Sequence, residues 1–484
     1  MFIRLASPNE RRTISREDLG FYNALVIGGV YEVASEKIDI KSARSFVAPL
    51  KQCILDEPYL SVVVKNKHTE KSLFEGVSSL DLENHISVIP SDENATSRDS
   101  ENKAIEKILQ PILDRPWPAD IPPWRIVVLP LASPKDSSVA RCFVAFSMSH
   151  TIGDGMCGIA FHHTFLDSWR QNTVVDEKES FILALPTRTL PEPFDTPKRL
   201  PISWKFLLGP LVAVLLPKFL VNLFGLRATT STVGAGTWTG TRMFFDSNFT
   251  NSSRTRLLEI EAPLVQNALQ ASRTHDAKLT ATIHQLIVRA LSKALPNPET
   301  TNFVSATAVN MRGSVGIPTY TWGLHVSGHY EVHPRLSATD LEKPTLSPEA
   351  WIHASSMTKN LAETATRLHD QAIGLLRYAP SIRKWTSDMI GAERDCSYRV
   401  SNLLTYDGGD DERWRISKMV FATPADAVGA PVNFDIVSVR GGSLVVGVNW
   451  QAGALGMPGG EEGEGRFVDV VCEGIKQGFE ALSV

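Results

Sequence analysis

Between residues 139 and 171 the pattern of apolar residues changes from one typical of a buried strand to one typical of a helix. Val139 to Ser149 is rich in β-branched and aromatic residues, which predicts a strand buried on both faces. Met156 to Gln171 has apolar residues at helical spacing and predicts an amphipathic helix. Between them, His150-Thr151-Ile152-Gly153-Asp154-Gly155 places a histidine, an acid and two glycines at the turn. A strand end holds a side chain rigidly, so this position suits a catalytic base.

The same two periods predict further elements along the chain. Ser91 to Asn102 is polar and acidic and predicts an exposed loop. Strands are predicted at Ala24 to Val33, Ser61 to Lys65, Arg125 to Leu131, Arg242 to Phe245, Phe303 to Asn310, Met419 to Thr423 and within Val432 to Trp450. Helices are predicted at Ile40 to Leu55, Ala104 to Leu113, Lys278 to Leu295, Trp351 to Leu376 and Phe467 to Leu482.

A proline-rich connector, Pro186 to Pro201, predicts a domain boundary. With 484 residues the chain is long enough for two domains with separate cores. We therefore expect an N-terminal domain at 1–190, a crossover at 191–238 and a C-terminal domain at 239–484.

The crossover contains the most apolar stretch of the chain, Ser203 to Leu226. Pro210 and Pro217 interrupt it, and this disfavours a helix that spans a membrane. We expect it to form a lid or wall of a ligand tunnel, with its apolar residues mostly shielded. An interfacial membrane contact through residues 203–226 is the alternative.

Composition narrows the classes of function. Hydrophobic residues make up 43% of the chain and charged residues 21%, as in ordinary globular proteins. The net charge of −4, without basic blocks, argues against nucleic acid as a partner. The five cysteines are scattered and form no CxxC pair, which predicts reduced, mostly buried thiols and no metal site. Residues 1–10 have no apolar signal-like region, so we expect a cytoplasmic protein.

Each residue of the turn also has an ordinary structural explanation. A histidine at a strand end is often only a hydrogen-bonded structural residue. Asp154 has the position of a helix N-cap, and Gly153 and Gly155 suit a turn with positive φ. None of these explanations accounts for the four residues occurring together.

The hexapeptide resembles the HxxxDG motif of the acyltransferase superfamily with the chloramphenicol acetyltransferase-like fold, to which condensation domains also belong. The series of motifs is most similar to the fungal alcohol O-acetyltransferase family. The resemblance implies a mixed α/β fold, with two such domains related by pseudo-symmetry around a central tunnel. The other matching segments are Arg11-Arg12 through Leu19-Gly20-Phe21-Tyr22-Asn23, Trp238-Thr239-Gly240, Asn310-Met311-Arg312, Ser401-Asn402, and Gly441-Gly442 through Trp450-Gln451.

The resemblance also implies a reaction, the transfer of an acyl group from acetyl-CoA to an alcohol. His150 would be the general base, because a neutral imidazole can take a hydroxyl proton as the bond forms. No G-x-S-x-G sequence occurs, which favours direct transfer without an acyl-enzyme. Acetyl-CoA would be a co-substrate, and we expect no tightly bound cofactor.

The resemblance assigns supporting roles to five further residues. Asp154, followed by Gly155, would point away from the substrate and pair with Arg312, fixing the turn that aims His150. A surface arginine after a strand is the alternative for Arg312. Ser401 and Asn402 would donate hydrogen bonds to the cofactor or the oxyanion, although a plain turn pair would look the same. The DFGWG motif of the plant branch is missing from the sequence, which leaves the oxyanion donor open.

Two rival functions remain at this point. One is condensation-type chemistry, in which a carrier protein supplies the acyl group. The other is a non-catalytic protein that binds an apolar metabolite. The intact HxxxDG motif disfavours the second rival, because a pure binder needs no base at the tunnel centre. We expect a monomer whose partners are a small-molecule alcohol and acyl-CoA.

Overall fold

Two large sheets, each built mainly from one half of the chain, carry the fold in the computed structural model of the protein. The structure describes residues 2–34, 38–90, 97–133, 138–171, 178–215, 233–247, 252–295, 297–409, 411 and 413–482.

Helices and strands alternate irregularly along the described chain. The strands are β1 Phe2–Leu5, β2 Leu25–Ala34, β3 Val62–Lys65, β4 Leu73–Gly76, β5 Ser79–Asp81, β6 Ile86–Val88, β7 Trp124–Leu131, β8 Val139–Met148, β9 Ile182–Ala184, β10 Ser253–Ile260, β11 Asn302–Asn310, β12 Val326–Pro334, β13 Tyr398–Tyr406, β14 Trp414–Ala422, β15 Val432–Val439 and β16 Leu444–Gln451. The α-helices are α1 Pro8–Asp18, α2 Val47–Asp56, α3 Arg98–Asp114, α4 Gly155–Gln171, α5 Trp204–Leu215, α6 Ala262–Thr274, α7 Leu279–Ala294, α8 Ala338–Glu342, α9 Pro348–Thr366, α10 Ile382–Ser387 and α11 Gly460–Ala481.

The sheet of the first half has the order β14-β2-β8-β7-β6. Its central strand β8 pairs antiparallel with β2 on one side and with β7 on the other. Because both edges of β8 are hydrogen-bonded, the end of this strand is a rigid support for the residues that follow it.

The edge strand β14 of this sheet comes from the second half of the chain. Trp414 pairs with Val33 and Ala422 with Val26, in antiparallel register. The expected division into 1–190, 191–238 and 239–484 stays a prediction, and β14 shows that hydrogen-bonded pairing crosses it.

The sheet of the second half has the order β10-β16-β15-β13-β11-β12. β13 pairs parallel with both β11 and β15, whereas β15 and β16 pair antiparallel. Helices α7 and α11 pack together with this sheet around one apolar core that includes Ile283, Ile287, Val471 and Phe434. The mixed pairing in both sheets confirms the predicted mixed α/β fold class.

The strand and helix predicted around the HTIGDG sequence are confirmed as β8 and α4. The expected loop at residues 91–102 is wrong at its end, because α3 starts at Arg98. Ser97 caps this helix and accepts from the Ser100 N–H at 3.2 Å. Residues 91–96 lie outside the described residues.

Two other predicted elements are wrong. Residues 242–245 are not a strand, because their backbone groups bond to unrelated segments; the Met243 N–H, for example, donates to Ala392 O at 2.9 Å. The single helix predicted from Trp351 to Leu376 ends at Thr366. Asp370 has a φ of 58°, which a right-handed helix excludes, and its carboxylate accepts from the Ser203 N–H at 2.7 Å.

The apolar stretch Ser203 to Leu226 is described as far as residue 215, where α5 ends, and residues 216–226 lie outside the described residues. Leu207 is buried, but Trp204 is 81% exposed and Leu208 is 58% exposed. This exposure goes against the expected shielding of the stretch. None of the helices in the described ranges is long and apolar enough to cross a membrane.

The prediction that the cysteine thiols are mostly buried is confirmed. The free cysteines Cys53, Cys142, Cys157, Cys396 and Cys472 are all buried.

Candidate active site

His150 lies just past the end of β8, in the short loop that leads into α4. The loop is bonded to the neighbouring chain, since the Ser149 N–H donates to Pro123 O at 2.8 Å. It is also bonded to itself, since the Ile152 N–H donates to Ser149 O at 3.2 Å. The Ser149 hydroxyl donates a short hydrogen bond to the Glu17 carboxylate. These bonds fix the backbone on either side of a half-buried His150.

The hydrogen bond of the His150 ring determines its tautomer. Nδ1 lies 2.8 Å from Gly153 O. A carbonyl oxygen only accepts, so Nδ1 carries the proton and Nε2 keeps its lone pair when the ring is neutral. Nε2 has no hydrogen-bond partner within the described ranges. The Tyr22 ring lies beside the imidazole, with a centroid separation of 5.9 Å.

The surroundings of His150 keep the ring neutral. Burial lowers the pKa of His150 to about 4; the hydrogen bond to Gly153 opposes this shift, and the positive charges of Arg12 and Arg16 add to it. At neutral pH the ring is therefore unprotonated and able to accept a proton at Nε2.

The structure contains the expected ion pair between Asp154 and Arg312. Their two hydrogen bonds, Nη2 to Oδ1 at 2.9 Å and Nη1 to Oδ2 at 3.0 Å, form a bidentate pair. Both side chains are 1% exposed. Burial alone would raise the pKa of Asp154, but the Arg312 charge and the hydrogen bonds hold it below its ordinary value.

This pair ties the two halves of the chain together at the turn. Asp154 also accepts from the backbone N–H of Met156 at 3.1 Å and from that of His325 at 2.9 Å. Arg312 donates from Nε to Thr321 O at 2.8 Å. Asp154 thus bonds the first turn of α4, as an N-terminal cap does, and also binds the second half of the chain.

The two glycines of the motif serve close packing. Neither Gly153 nor Gly155 has a positive φ, so the turn explanation for these residues is wrong. A Cβ at Gly155 would lie 2.5 Å from Leu403 Cδ2, and a Cβ at Gly153 would lie 2.8 Å from Cys157 Sγ. Because Leu403 belongs to β13, Gly155 marks a close contact between the motif and the second-half sheet.

Ser401 and Asn402 lie half-buried on β13. The Asn402 amide donates to Thr280 Oγ1 at 3.0 Å and accepts from the Leu404 N–H at 2.8 Å. The structure shows no hydrogen bond from either residue to His150 among the residues it describes. Their role at a cofactor or oxyanion stays a prediction.

A charged cluster beside Tyr22 was missed by sequence reasoning. Asp426 is buried and accepts from Arg16 Nη2 at 2.5 Å and from Arg399 Nη1 at 3.1 Å. The two guanidinium groups lie 5.3 and 5.7 Å from the centroid of the Tyr22 ring. Arg16 and Tyr22 belong to the quoted N-terminal segment, but no local pattern connects them to residues 399 and 426. Within the described ranges, no cluster of His, Cys, Asp and Glu is placed to hold a metal ion.

Solved structures share this fold. The TRI3 trichothecene 15-O-acetyltransferase from Fusarium sporotrichioides has a TM-score of 0.63 and 13% sequence identity, over 98% of this chain and 94% of that chain. The epimerization domain from the third module of tyrocidine synthetase B has a TM-score of 0.58 and 13% identity, over 100% of this chain and 97% of that chain. At these identities the likeness shows the fold alone, and it confirms the chloramphenicol acetyltransferase-like fold.

Comparison of the sequence with known families identifies the family. Residues 56–454, more than half of the chain, match the alcohol acetyltransferase family, and the protein belongs to that family. The probable alcohol acetyltransferase FCK4 of Fusarium pseudograminearum is 23% identical over 468 residues, covering 94% of this chain and 91% of that protein. The predicted family is confirmed, and the protein is an acyltransferase with an alcohol acceptor.

Proposed function

We propose that this protein transfers an acetyl group from acetyl-CoA directly to the hydroxyl of a small, largely apolar alcohol or secondary metabolite, with His150 as the general base. The observation that carries the proposal is the free Nε2 of His150. Its partner nitrogen Nδ1 is occupied by Gly153 O at 2.8 Å, so the lone pair of the neutral ring is on the nitrogen that is left open.

The proposed reaction needs only this one ring for its proton transfers. Nε2 takes the hydroxyl proton as the hydroxyl oxygen bonds to the thioester carbon. The carbon–sulfur bond then breaks, and the imidazolium returns the same proton to the leaving thiolate. With a pKa of about 4, the protonated ring is a stronger acid than an ordinary imidazolium and gives the proton up more readily.

Asp154, Gly155 and Arg312 would support this geometry without touching the substrate. The buried bidentate pair holds the loop that carries His150, and Gly155 lets β13 approach it. That approach supports the proposed placement of Ser401 and Asn402 near the reacting carbonyl, because both residues precede Leu403 on the same strand.

The test is incubation with labelled acetyl-CoA and a panel of apolar alcohols, followed by mass spectrometry of the products. We expect acetyl esters and free coenzyme A with the wild-type protein, and formation of both at least about 100-fold slower with folded His150→Ala. Esters that form only when a carrier-protein thioester replaces acetyl-CoA would contradict the proposed donor and support the condensation-type alternative. Ligand binding without any ester from either donor would support the non-catalytic alternative.

Peripheral membrane contact through residues 203–226 also stays a proposal, supported by the exposed Trp204 and Leu208 on α5. Co-sedimentation with liposomes that is lost in the Trp204→Ser/Leu208→Ser variant would bear it out. A wild-type protein that stays in the supernatant would rule it out.

A further inference from the structure

The rings of Tyr22 and His150 meet at one edge of the first-half sheet. Tyr22 lies three residues before β2 begins, and His150 lies two residues after β8 ends. Because β2 and β8 pair antiparallel, with Leu25 opposite Met148, both residues lie beyond the same edge of the sheet. The two ring centroids are 5.9 Å apart, and the ring planes are tilted by 40°. Tyr22 is 4% exposed, so its ring belongs to the packed surroundings of His150.

The backbone before Tyr22 is held by the end of α1. Gly20 has a φ of 77°, in the left-handed region that favours glycine, and this angle stops the helix. The Phe21 N–H then donates back to Arg16 O at 2.8 Å, as in a common helix C-cap. Tyr22 follows directly, so the position of its backbone is set by the helix as well as by β2.

Two arginines, one from each half of the chain, lie against the Tyr22 ring. The guanidinium carbons of Arg16 and Arg399 are 5.3 and 5.7 Å from its centroid, within the range of cation–π contacts. Arg399 also donates from Nη2 to the Tyr22 hydroxyl at 3.3 Å. The buried Asp426 accepts from both arginines, from Arg16 at 2.5 Å and from Arg399 at 3.1 Å. Asp426 thus holds both cations, and through them the ring.

His150 needs such a contact, because one hydrogen bond leaves its ring free to pivot. Nδ1 is bonded to Gly153 O at 2.8 Å, and the structure shows no other side-chain hydrogen bond of this ring among the residues it describes. A single bond fixes one atom of the ring but not its plane. A catalytic group must be held within about 0.5 Å and about 10–20° of its productive geometry. The packed ring of Tyr22 can supply the missing constraint.

We propose that Tyr22 is a positioning residue whose ring fixes the plane of the His150 imidazole. Asp426 acts one step further away, because it holds Arg16 and Arg399 against the Tyr22 ring. The inference rests on the proposed function, in which Nε2 of His150 is the base. Neither Tyr22 nor Asp426 takes or gives a proton in this scheme.

The first experiment measures kcat and KM of Tyr22→Leu and Tyr22→Phe with acetyl-CoA and an apolar alcohol. Tyr22→Leu should lower kcat about 10-fold, because a misplacement of about 1 Å can cost up to about 100-fold in rate. Both KM values should stay within about twofold, because the ring acts on the base and not on substrate binding. Tyr22→Phe should recover most of the loss, since it restores the ring. Equal losses in the two variants would assign the effect to the hydroxyl and overturn the proposal.

Phe21→Leu is the matched control. It makes a similar change one residue earlier, but the Phe21 ring packs on Phe245, with centroids 4.9 Å apart, whereas the Tyr22 ring packs beside the base. We expect Phe21→Leu to lower the melting temperature and to leave kcat per folded molecule unchanged. A loss of kcat as large as that of Tyr22→Leu would show a general packing effect and overturn the proposal.

Asp426→Asn tests the second step. It should lower kcat about two- to fivefold in the wild-type background, as expected for a weakened cation–π contact. It should not lower kcat further in Tyr22→Leu, because the ring through which it acts is already gone. The melting temperature should fall in both backgrounds, since two arginines lose their carboxylate. Multiplicative losses of kcat in the double variant would overturn the indirect role of Asp426.

Nitrogen NMR of the histidine side chains separates this inference from the proposed function, because it needs no turnover. The His150 signals are identified by their absence in His150→Ala. In the wild-type protein they should show a protonated Nδ1 and an unprotonated Nε2. In Tyr22→Leu they should average between the two tautomers, because a ring that pivots loses the bond to Gly153 part of the time, and Tyr22→Phe should restore the wild-type pattern.

An unchanged single tautomer in Tyr22→Leu would overturn the positioning role, whatever the activity. Near-full activity in folded His150→Ala would instead refute the proposed base. A tautomer that still depended on the Tyr22 ring in that case would support the contact between the two rings without the proposed chemistry.

Discussion

Two histidines, one in each half of the chain, share the same electrostatic condition and differ in their hydrogen bonds. Burial lowers the pKa of His150 to about 4 and that of His284 well below its ordinary value. His284 is fully buried, with Nδ1 at 3.0 Å from the Tyr398 hydroxyl and Nε2 at 3.2 Å from Thr307 Oγ1. His150 is half-buried and, among the residues that the structure describes, has a hydrogen-bond partner only at Nδ1.

A lowered pKa therefore does not by itself mark a catalytic base. Both rings are neutral at neutral pH, but only His150 has a ring nitrogen free to take a proton from a substrate. Both ring nitrogens of His284 are hydrogen-bonded to other side chains, and these bonds connect α7 to β11 and β13. One histidine is available for chemistry, and the other holds a core together.

The strongest test of this contrast is His150→Ala. We expect kcat to fall about 100- to 10,000-fold, because the acceptor hydroxyl loses its base. The melting temperature should change little, since the side-chain hydrogen bond lost within the described ranges is the single one to Gly153. Steady-state kinetics and thermal unfolding of the same preparation would check this, and near-full activity in the folded variant would remove His150 as the base.

Removing one partner of the Asp154–Arg312 pair should damage both stability and activity. We expect Asp154→Ala and Arg312→Ala each to lose about 3–5 kcal/mol of stability, because each leaves a buried charge unpaired. The double variant should lose less than the sum of the two single losses. Denaturant unfolding of the three variants would measure this coupling.

Asp167→Ala is the control for the pair. Asp167 is also on α4, but it is 47% exposed and pairs only with exposed neighbours. We expect a change within about 0.5 kcal/mol. Strictly additive losses in the pair would show that the contact between Asp154 and Arg312 contributes nothing to the fold.

Sequence patterns predicted the strand and the helix on either side of His150, but not the residues that pack around this segment. The β-branched run of β8 and the helical spacing of α4 are local, so both elements could be predicted. The partner of Asp154 came from a family resemblance, because Arg312 is far away in the chain. The pairing of β14 with β2 was missed for a related reason: the apolar pattern of an edge strand does not identify the strand beside it.

Two predicted helix boundaries were wrong, and in each case single contacts determine where the helix begins or ends. A serine cap starts α3 earlier than apolar spacing indicates, and the bond from Ser203 to Asp370 accompanies a backbone angle that stops any helix near residue 370.

His284→Ala should show the opposite behaviour to His150→Ala. It leaves the Tyr398 and Thr307 hydroxyl groups without the ring that bonds them, which costs about 1–3 kcal/mol for each unsatisfied group. The melting temperature should drop, while kcat per folded molecule stays unchanged. His163→Ala is the matched control, because His163 is 49% exposed and its loss should affect neither quantity. A loss of kcat in folded His284→Ala would contradict the structural role.

The smallest expected effect is the response of His150 to mild acid. Only the unprotonated ring takes a proton from the acceptor, and burial places its pKa at about 4. For a neutral acceptor, kcat/KM should therefore stay nearly constant from pH 7 to about pH 5 and fall below it, with a midpoint at about pH 4. An exposed histidine would give a midpoint at about pH 6.5.

Acid unfolding must be separated from this titration. His162, His284 and His333 are buried with lowered pKa values, whereas their unfolded counterparts bind protons near pH 6.5. The unfolded state then holds more protons, so stability is full above about pH 6.5 and declines as pH falls toward about 4. Tryptophan fluorescence at each pH identifies the range in which the enzyme is still folded.

Within that range, Arg12→Gln should move the midpoint of kcat/KM upward, because it removes one of the positive charges that oppose protonation of His150. A midpoint near 6.5 in the folded wild-type enzyme would show that His150 titrates as an exposed group, so that it no longer shares the lowered pKa of His284.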